Sequence, residues 1–234
     1  MMILAVDTSG PVCGVAVVEE DRILSEYTAR NKYTHSASLM PMVERCLESA
    51  GKRLEEMDAL AVVTGPGSFT GVRIGVATVK GLAHGSGKPC IPVNALEALA
   101  CGANREDWEG LVCPMQDARA GQVYGAAFLG GKRMMEDRPM KLEDYLAAVR
   151  ELSPGPYLLL GDGAEAHREK IRELTAGMDY RIAAAPFCFL RPSAAGMLAQ
   201  RSPVRMDYRS LKEYYLRPPN AEKNKKLLEA MRHE

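Results

Sequence analysis

An excess of charge of either sign is missing from this chain: Lys plus Arg and Asp plus Glu each number 30 among 234 residues, so the formal net charge is zero. A protein that binds nucleic acid by itself ordinarily shows a basic excess. Histidine is scarce. His35, His84, His167 and His233 are the four present, and no two stand at metal-ligand spacing. The six cysteines, Cys13, Cys46, Cys90, Cys101, Cys113 and Cys188, include no C-x-x-C pair, and most lie in apolar runs. Core thiols in a reducing compartment are expected from this, rather than a zinc site or a disulfide framework. No apolar run approaches membrane-spanning length, and the start Met1 to Asp7 has no basic segment and meets a carboxylate early. Neither a membrane span nor a signal peptide is expected, and the chain reads as cytoplasmic.

What is present is a soluble, globular composition, 47% apolar and 26% charged, long for one domain and comfortable for two small ones. Its centre is Thr64-Gly65-Pro66-Gly67-Ser68-Phe69-Thr70-Gly71-Val72-Arg73-Ile74-Gly75. An apolar run, Asp58 to Val63, precedes it, and a proline-free apolar stretch to His84 follows, so the glycines mark a buried strand turning into a helix. Gly65 and Gly67 permit positive φ or close backbone approach, and Ser68 or Thr70 can accept from the free N–H groups of the first helical turn. Such a loop is either an anion site or a tight structural turn. The known phosphate loops do not fit, because no lysine occurs between these glycines and Lys80 and the glycine spacing is G-x-G-x-x-x-G. On the helix, Val72, Val76, Val79 and Ala83 form an apolar stripe that Ile74 and Leu82 extend. Gly71 and Gly75 leave a flat patch, so the helix is either covered by its own domain on two sides or shared with a partner.

Read in order, the first half is three strands (Ile3–Thr8, Val12–Val18, Arg22–Thr28), a helix from Ser36 to Ala50 capped by Ser36 or Ser38 with Pro41 near its first turn, the central strand and helix, a strand Cys90–Val93 and a helix from Asn94 to about Cys101. After a polar linker, Gly102 to Asp107, the order repeats. Strands are expected at Leu111–Met115, Gln122–Leu129 and Arg133–Met135, a helix at Leu142–Leu152, a strand at Tyr157–Leu160, a helix at Ala164–Leu174, a weak strand at Tyr180–Ala184 and a helix at Ser193–Gln200. Gly161-Asp162-Gly163 takes the place of the Gly65-Pro66-Gly67 loop. Asp7, Gly14 and Arg22 answer to Asp117, Gly125 and Arg133 with one residue of slippage. The reading is α/β: a duplicated unit over 1–105 and 106–217, then a basic tail over 218–234 that need not be ordered. From Arg205 on, eight basic residues face five acidic ones, with Tyr208, Tyr214 and Tyr215 interleaved. That segment reads either as a nucleic-acid or partner contact or as an ordinary solvated tail.

Two duplicated halves describe the actin, hexokinase and Hsp70-like superfamily, with ribonuclease-H-like domains. More closely, Ala5-Val6-Asp7-Thr8-Ser9, Gly65 to Gly75, Val93-Asn94-Ala95-Leu96-Glu97-Ala98-Leu99 and Asp117-Ala118-Arg119 resemble the bacterial TsaB (YeaZ) family. The resemblance implies a partner in making threonylcarbamoyladenosine in tRNA, acting with a catalytic paralogue, TsaD, and an ATPase, TsaE. Where that paralogue carries His-Met-Glu-Gly-His, with both histidines on a metal, this chain has Ala95 and Leu99, which cannot ligate. The implied role is therefore a non-catalytic subunit without a cofactor of its own, with ATP and metal on partner subunits, tRNA met through the complex, and a homodimer when alone. The expected partner surface is Leu39, Met42, Val43, Thr70, Gly71, Val72, Arg73, Gly75, Val76 and Lys80. A vestigial nucleotide cleft would use Asp7, Gly65, Gly67 and Asp117, the two carboxylates serving local backbone geometry more than chemistry. The competing readings are a small-molecule kinase of the same superfamily, in which Asp7 and Asp117 would act on metal and substrate, and a metallopeptidase, which the missing histidines disfavour.

Overall fold

The computed structural model describes residues 1–103 and 108–217. Most of the expected linker, and the tail over 218–234, lie outside the described residues; Gly102 and Ala103 belong to the end of a helix. The first half contains β1 (Met2–Asp7), β2 (Cys13–Glu19), β3 (Arg22–Ala29), α1 (His35–Ser49), β4 (Ala59–Gly65), α2 (Phe69–Ser86), β5 (Cys90–Asn94) and α3 (Ala95–Ala103). The second contains β6 (Leu111–Asp117), β7 (Gln122–Leu129), β8 (Lys132–Lys141), α4 (Leu142–Leu152), β9 (Tyr157–Leu160), α5 (Asp162–Ala166), α6 (Arg168–Leu174), β10 (Tyr180–Ile182), α7 (Ala185–Cys188) and α8 (Pro192–Arg201).

The two sheets have the same topology, β3-β2-β1-β4-β5 and β8-β7-β6-β9-β10. In each, an antiparallel meander supplies three strands and two further strands add in parallel beside the first. The duplication is therefore real at the level of topology. At the level of residues it is looser. Asp7 pairs with Gly14, but Asp117 pairs with Val123 and Gly125 with Met115, so the aspartates correspond while the glycines do not. Each glycine answers to a different neighbour: a Cβ at Gly14 would meet the Pro192 ring, and one at Gly125 the Tyr145 ring.

Alternation along β1 sorts the core. Leu4 and Val6 face outward into a cluster with Leu39, Val43 and Cys46 of α1 and Val72, Val76, Val79 and Ala83 of α2. Ile3 and Ala5 face inward, where Ala16, Val18, Ala61 and Val63 meet α3 and α8 together with Val112, Ala126 and Phe128 of the second sheet. α3, from the first half, packs on β6, and α8, from the second, packs on β1 and β2. The small residues Ala195, Gly196 and Ala199 let α8 lie close to the sheet, and the halves share one inner core.

Three local expectations are corrected. α1 starts one residue earlier than expected, with Thr34 as its cap residue; the N–H groups of Ala37 and Ser38 donate to the Thr34 carbonyl, so neither Ser36 nor Ser38 caps it. Pro41 accordingly sits inside the helix, not in its first turn, on the exposed side. The expected helix Ala164–Leu174 is two helices, because Gly161 at φ 103° lets the turn begin at Asp162 and His167 leaves helical geometry.

α8 is fastened to the first half by one carboxylate. Glu26 of β3 accepts from the Ser193 N–H at 3.0 Å, the Ser193 hydroxyl at 2.6 Å and the Arg191 guanidinium. Burial by itself would raise the Glu26 carboxyl, but Arg191 and the Ser193 donors outweigh it and hold it below its ordinary value. A depressed carboxylate contributes stability above its unfolded pKa, which is lost as pH falls through the folded one. Glu26→Ala is expected to cost about 2–3 kcal/mol at neutral pH. Urea titrations should show that difference shrinking as pH falls below the ordinary glutamate range, as the wild-type carboxyl protonates through its lowered folded value.

Candidate functional site

β1 and β6 are the central strands, and both end in an aspartate that closes the same local turn. Asp7 Oδ1 accepts the Ser9 N–H at 2.8 Å, and Asp117 Oδ1 accepts the Arg119 N–H at 2.9 Å. These turns, the β4–α2 loop and the start of α5 surround a cleft of about 960 Å³ between the halves. Its floor is joined across the halves: the Gln116 side-chain amide donates to Ser9 Oγ at 3.3 Å, and Ser9 is hydrogen-bonded in turn to the Asp7 carboxylate. Burial pushes the Asp7 carboxyl from 3.8 up to about 6, against the lowering effect of the Ser9 bonds. Burial, reinforced by the negative charge of Asp117, pushes Asp162 up to about 7 against its backbone hydrogen bonds.

The β4–α2 loop lies closely against the end of β1. Gly65 and Gly67 have φ of 124° and 156°. The Ser68 N–H donates to the Ser9 carbonyl at 2.7 Å, and Ser68 Oγ caps α2 by accepting from the Gly71 N–H at 3.2 Å. Thr8 Oγ1 donates to the Gly71 carbonyl at 2.7 Å. The Ser68 N–H is thus turned toward the end of β1, and the Gly71 and Val72 N–H groups are satisfied by Ser68. The glycines serve the same approach: a Cβ on Gly67 would lie 2.4 Å from the Ser9 carbonyl oxygen and one on Gly71 2.0 Å from that of Thr8.

Burial revises the expected partner surface. Leu39, Val43, Gly71, Val72, Gly75 and Val76 are buried in the chain's own fold, so they are not available as a contact face. The α2 stripe is covered by β1, β4 and α1 of its own domain. Thr70 and Arg73 remain exposed, and Met42 and Lys80 half-buried, beside the exposed Met40.

Ala95 and Leu99 lie in the inner core. Asn94 Oδ1 caps α3 by accepting the Glu97 N–H at 2.9 Å, while its amide donates to Asp137, which also pairs with Arg133.

The residues least legible in the sequence are those of a strap after α8. Met206 bridges to Cys90, Leu211 is fully buried against the outer core of the first half, and the Tyr214 N–H donates to the Thr64 carbonyl at 2.8 Å. Tyr215 packs on Phe69, ring centroids 5.0 Å apart. As far as Arg217, the segment is neither a tail nor fully solvated. Leu211 was the available signal, a leucine between charged residues. Ser9 and Gln116 offered none, because their pairing spans the two halves.

Two such halves, inner helices exchanged and a cleft between the ends of β1 and β6, define the duplicated ribonuclease-H-like fold. The structure of the (R)-2-hydroxyglutaryl-CoA dehydratase component A of Acidaminococcus fermentans shares this fold at 10% identity, with a TM-score of 0.53 over 86% of this chain and 98% of that one. A closer likeness is to the structure of YeaZ from Pseudomonas aeruginosa, 28% identical, TM-score 0.71, covering 92% and 99% of the two chains. The family model for TsaD, described as tRNA N6-adenosine threonylcarbamoyltransferase, matches residues 22–215. The tRNA threonylcarbamoyladenosine biosynthesis protein TsaB of Bacillus subtilis is 34% identical over 226 residues, 95% of this chain and 96% of its own. The chain belongs to the TsaB (YeaZ) family.

Two outcomes follow from the geometry. Gly71→Ala should destabilise the fold by about 1–3 kcal/mol, because its Cβ would meet backbone and not a flexible side-chain end, whereas Gly81→Ala, in open space, should be neutral or stabilising; denaturant midpoints separate the two. A carboxyl whose folded pKa is raised favours folding below its unfolded pKa and loses that contribution as pH rises through the folded value. Asp7 should therefore weaken the fold between about pH 4 and pH 6, and Asp7→Asn should remove that slope, gaining on the order of 2 kcal/mol over wild type at pH 7. Stability curves that remain parallel from pH 4 to 7 would contradict the burial of Asp7.

Proposed function

We propose that this chain is the non-catalytic subunit of the complex that transfers threonylcarbamoyl to tRNA adenosine, binding and activating a TsaD-type catalytic paralogue alongside a TsaE-type ATPase. The observation that carries this reading is the close packing of the β4–α2 loop on the end of β1: the Ser68 N–H donates to the Ser9 carbonyl, and Gly67 and Gly71 lie against the Ser9 and Thr8 carbonyls, where the kinase reading would have the loop hold phosphates. The names of its relatives supply the process, tRNA threonylcarbamoyladenosine biosynthesis. Ala95 and Leu99, where the catalytic paralogue carries histidines, support an accessory role. ATP and metal then belong to the partner subunits, and the complex works in the cytoplasm; among the described residues no helix is long and apolar enough to cross a membrane. The partner face is assigned to the outer surface of α1 and α2, around Met40, Met42 and Lys80, the same face that would pair two copies of the free chain.

Reconstitution tests the reading. Threonylcarbamoyl transfer to tRNA by the paralogue and the ATPase should depend on adding this chain, while the chain alone should not turn over ATP. Asp7→Asn should retain its support of transfer. ATP hydrolysis by the purified chain that Asp7→Asn abolishes would overturn the assignment in favour of a kinase.

A further inference from the structure

Four arginines from four separate segments meet at the mouth of the cleft. Arg30 follows β3, Arg119 stands on the β6–β7 turn at φ 65°, and Arg217 ends the strap; all three line the cleft. Arg73, in the first turns of α2, stacks 3.8 Å from the ring centre of Phe69, which lines the same mouth, and donates from Nε to the Tyr215 hydroxyl at 3.0 Å. Arg30 and Arg119 each have a carboxylate nearby, Glu165 at 2.8 Å and Asp117 at 3.6 Å. Arg73 and Arg217 make no ion pair among the described residues; aromatic faces hold them instead, Arg217 lying 5.9 Å over Tyr124. A guanidinium fixed on a ring has already lost much of its rotamer freedom, and its fork matches a phosphate.

Deeper in, the sign reverses. The lining there includes Asp117 and Asp162, so an anion that entered would meet two acidic groups, while one that stayed at the mouth would meet guanidiniums. A free nucleotide seated in the cleft would have to carry its phosphates inward. A strand passing across the mouth keeps them at the rim.

We propose that the mouth of this cleft binds the phosphate backbone of an RNA strand on Arg73, Arg119 and Arg217. The choice of RNA rests on the function proposed above, whose substrate is a tRNA; the site itself rests on the arginines. With no net charge on the whole chain, such binding is local, weak and salt-dependent.

The test uses the full chain alone and end-labelled bulk tRNA, with fluorescence anisotropy read from about 50 to about 200 mM salt. Wild type should bind, more weakly as salt rises. The double variant Arg73→Ala with Arg217→Ala should weaken binding by ~10-fold or more and lower the slope of log K against log salt by about 2. Arg73→Ala also removes a contact to the strap, so Arg119→Glu is the second variant: its side chain is 90% exposed and the fold does not depend on it, yet it too should weaken binding. Arg209→Ala, outside the cleft, should bind as wild type does. Absence of tRNA binding at about 50 mM salt, or folded variants that bind like wild type, would overturn the inference. Displacement of tRNA by poly-glutamate at equal charge concentration would overturn it too, pointing to an acidic protein. ATP binding that depends on Asp117 would overturn it in favour of a small-molecule cleft. Capture of the TsaD-type paralogue is measured separately: a chain that binds tRNA but not the paralogue refutes the proposed function and leaves this site standing.

Discussion

The centre of the molecule depends on one close contact, the end of β1 lying against the glycine face of α2. Side chains at positions 71 and 75 would each fall within 2.5 Å of Thr8 atoms, and one at 67 would overlap the Ser9 carbonyl. Because those positions are glycine, the Thr8 hydroxyl reaches the Gly71 carbonyl and the Ser68 N–H reaches Ser9. The contact fixes how deeply α2 sits on the sheet and buries Val72 and Val76, and Asp7 beside it is buried too. Desolvation then does the rest, raising the Asp7 carboxyl and leaving a floor poorly suited to holding charge.

The exchange of inner helices sets the relation between the halves. α3 lies on the second sheet and α8 on the first, so neither half completes its core from its own sequence segment. Glu26 ties α8 to β3, Asp137 ties β8 to the cap of α3, and Ser9 meets Gln116 at the cleft floor. Arg30 pairs with Glu165 across one edge, and the strap returns over the β4–α2 loop. Opening the cleft would break several of these together, including the shared apolar layer, which is the costliest to expose.

Periodicity and turn chemistry determined a good deal by themselves. The order of strands and helices in both halves follows from apolar spacing and from glycine and serine punctuation, and the Asp7 and Asp117 turns follow from a short carboxylate at a strand end. Ser68 and the αL glycine at 87 mark the limits of α2 for the same local reasons. The absence of ligand histidines at 95 and 99 also needs no coordinates.

Only the tertiary structure decided what each buried face is buried against. The stripe on α2 reads the same whether a partner or the chain's own sheet covers it, because helical spacing records that a face avoids water and not which surface excludes it. Likewise the glycines at 65, 67 and 71 permit either a phosphate or a neighbouring carbonyl; the position of β1 chose the carbonyl. The strap, the Ser9–Gln116 bond and the set of arginines at the cleft mouth join residues more than a hundred positions apart. No local pattern encodes such pairs, since each depends on the way two sheets and their exchanged helices pack.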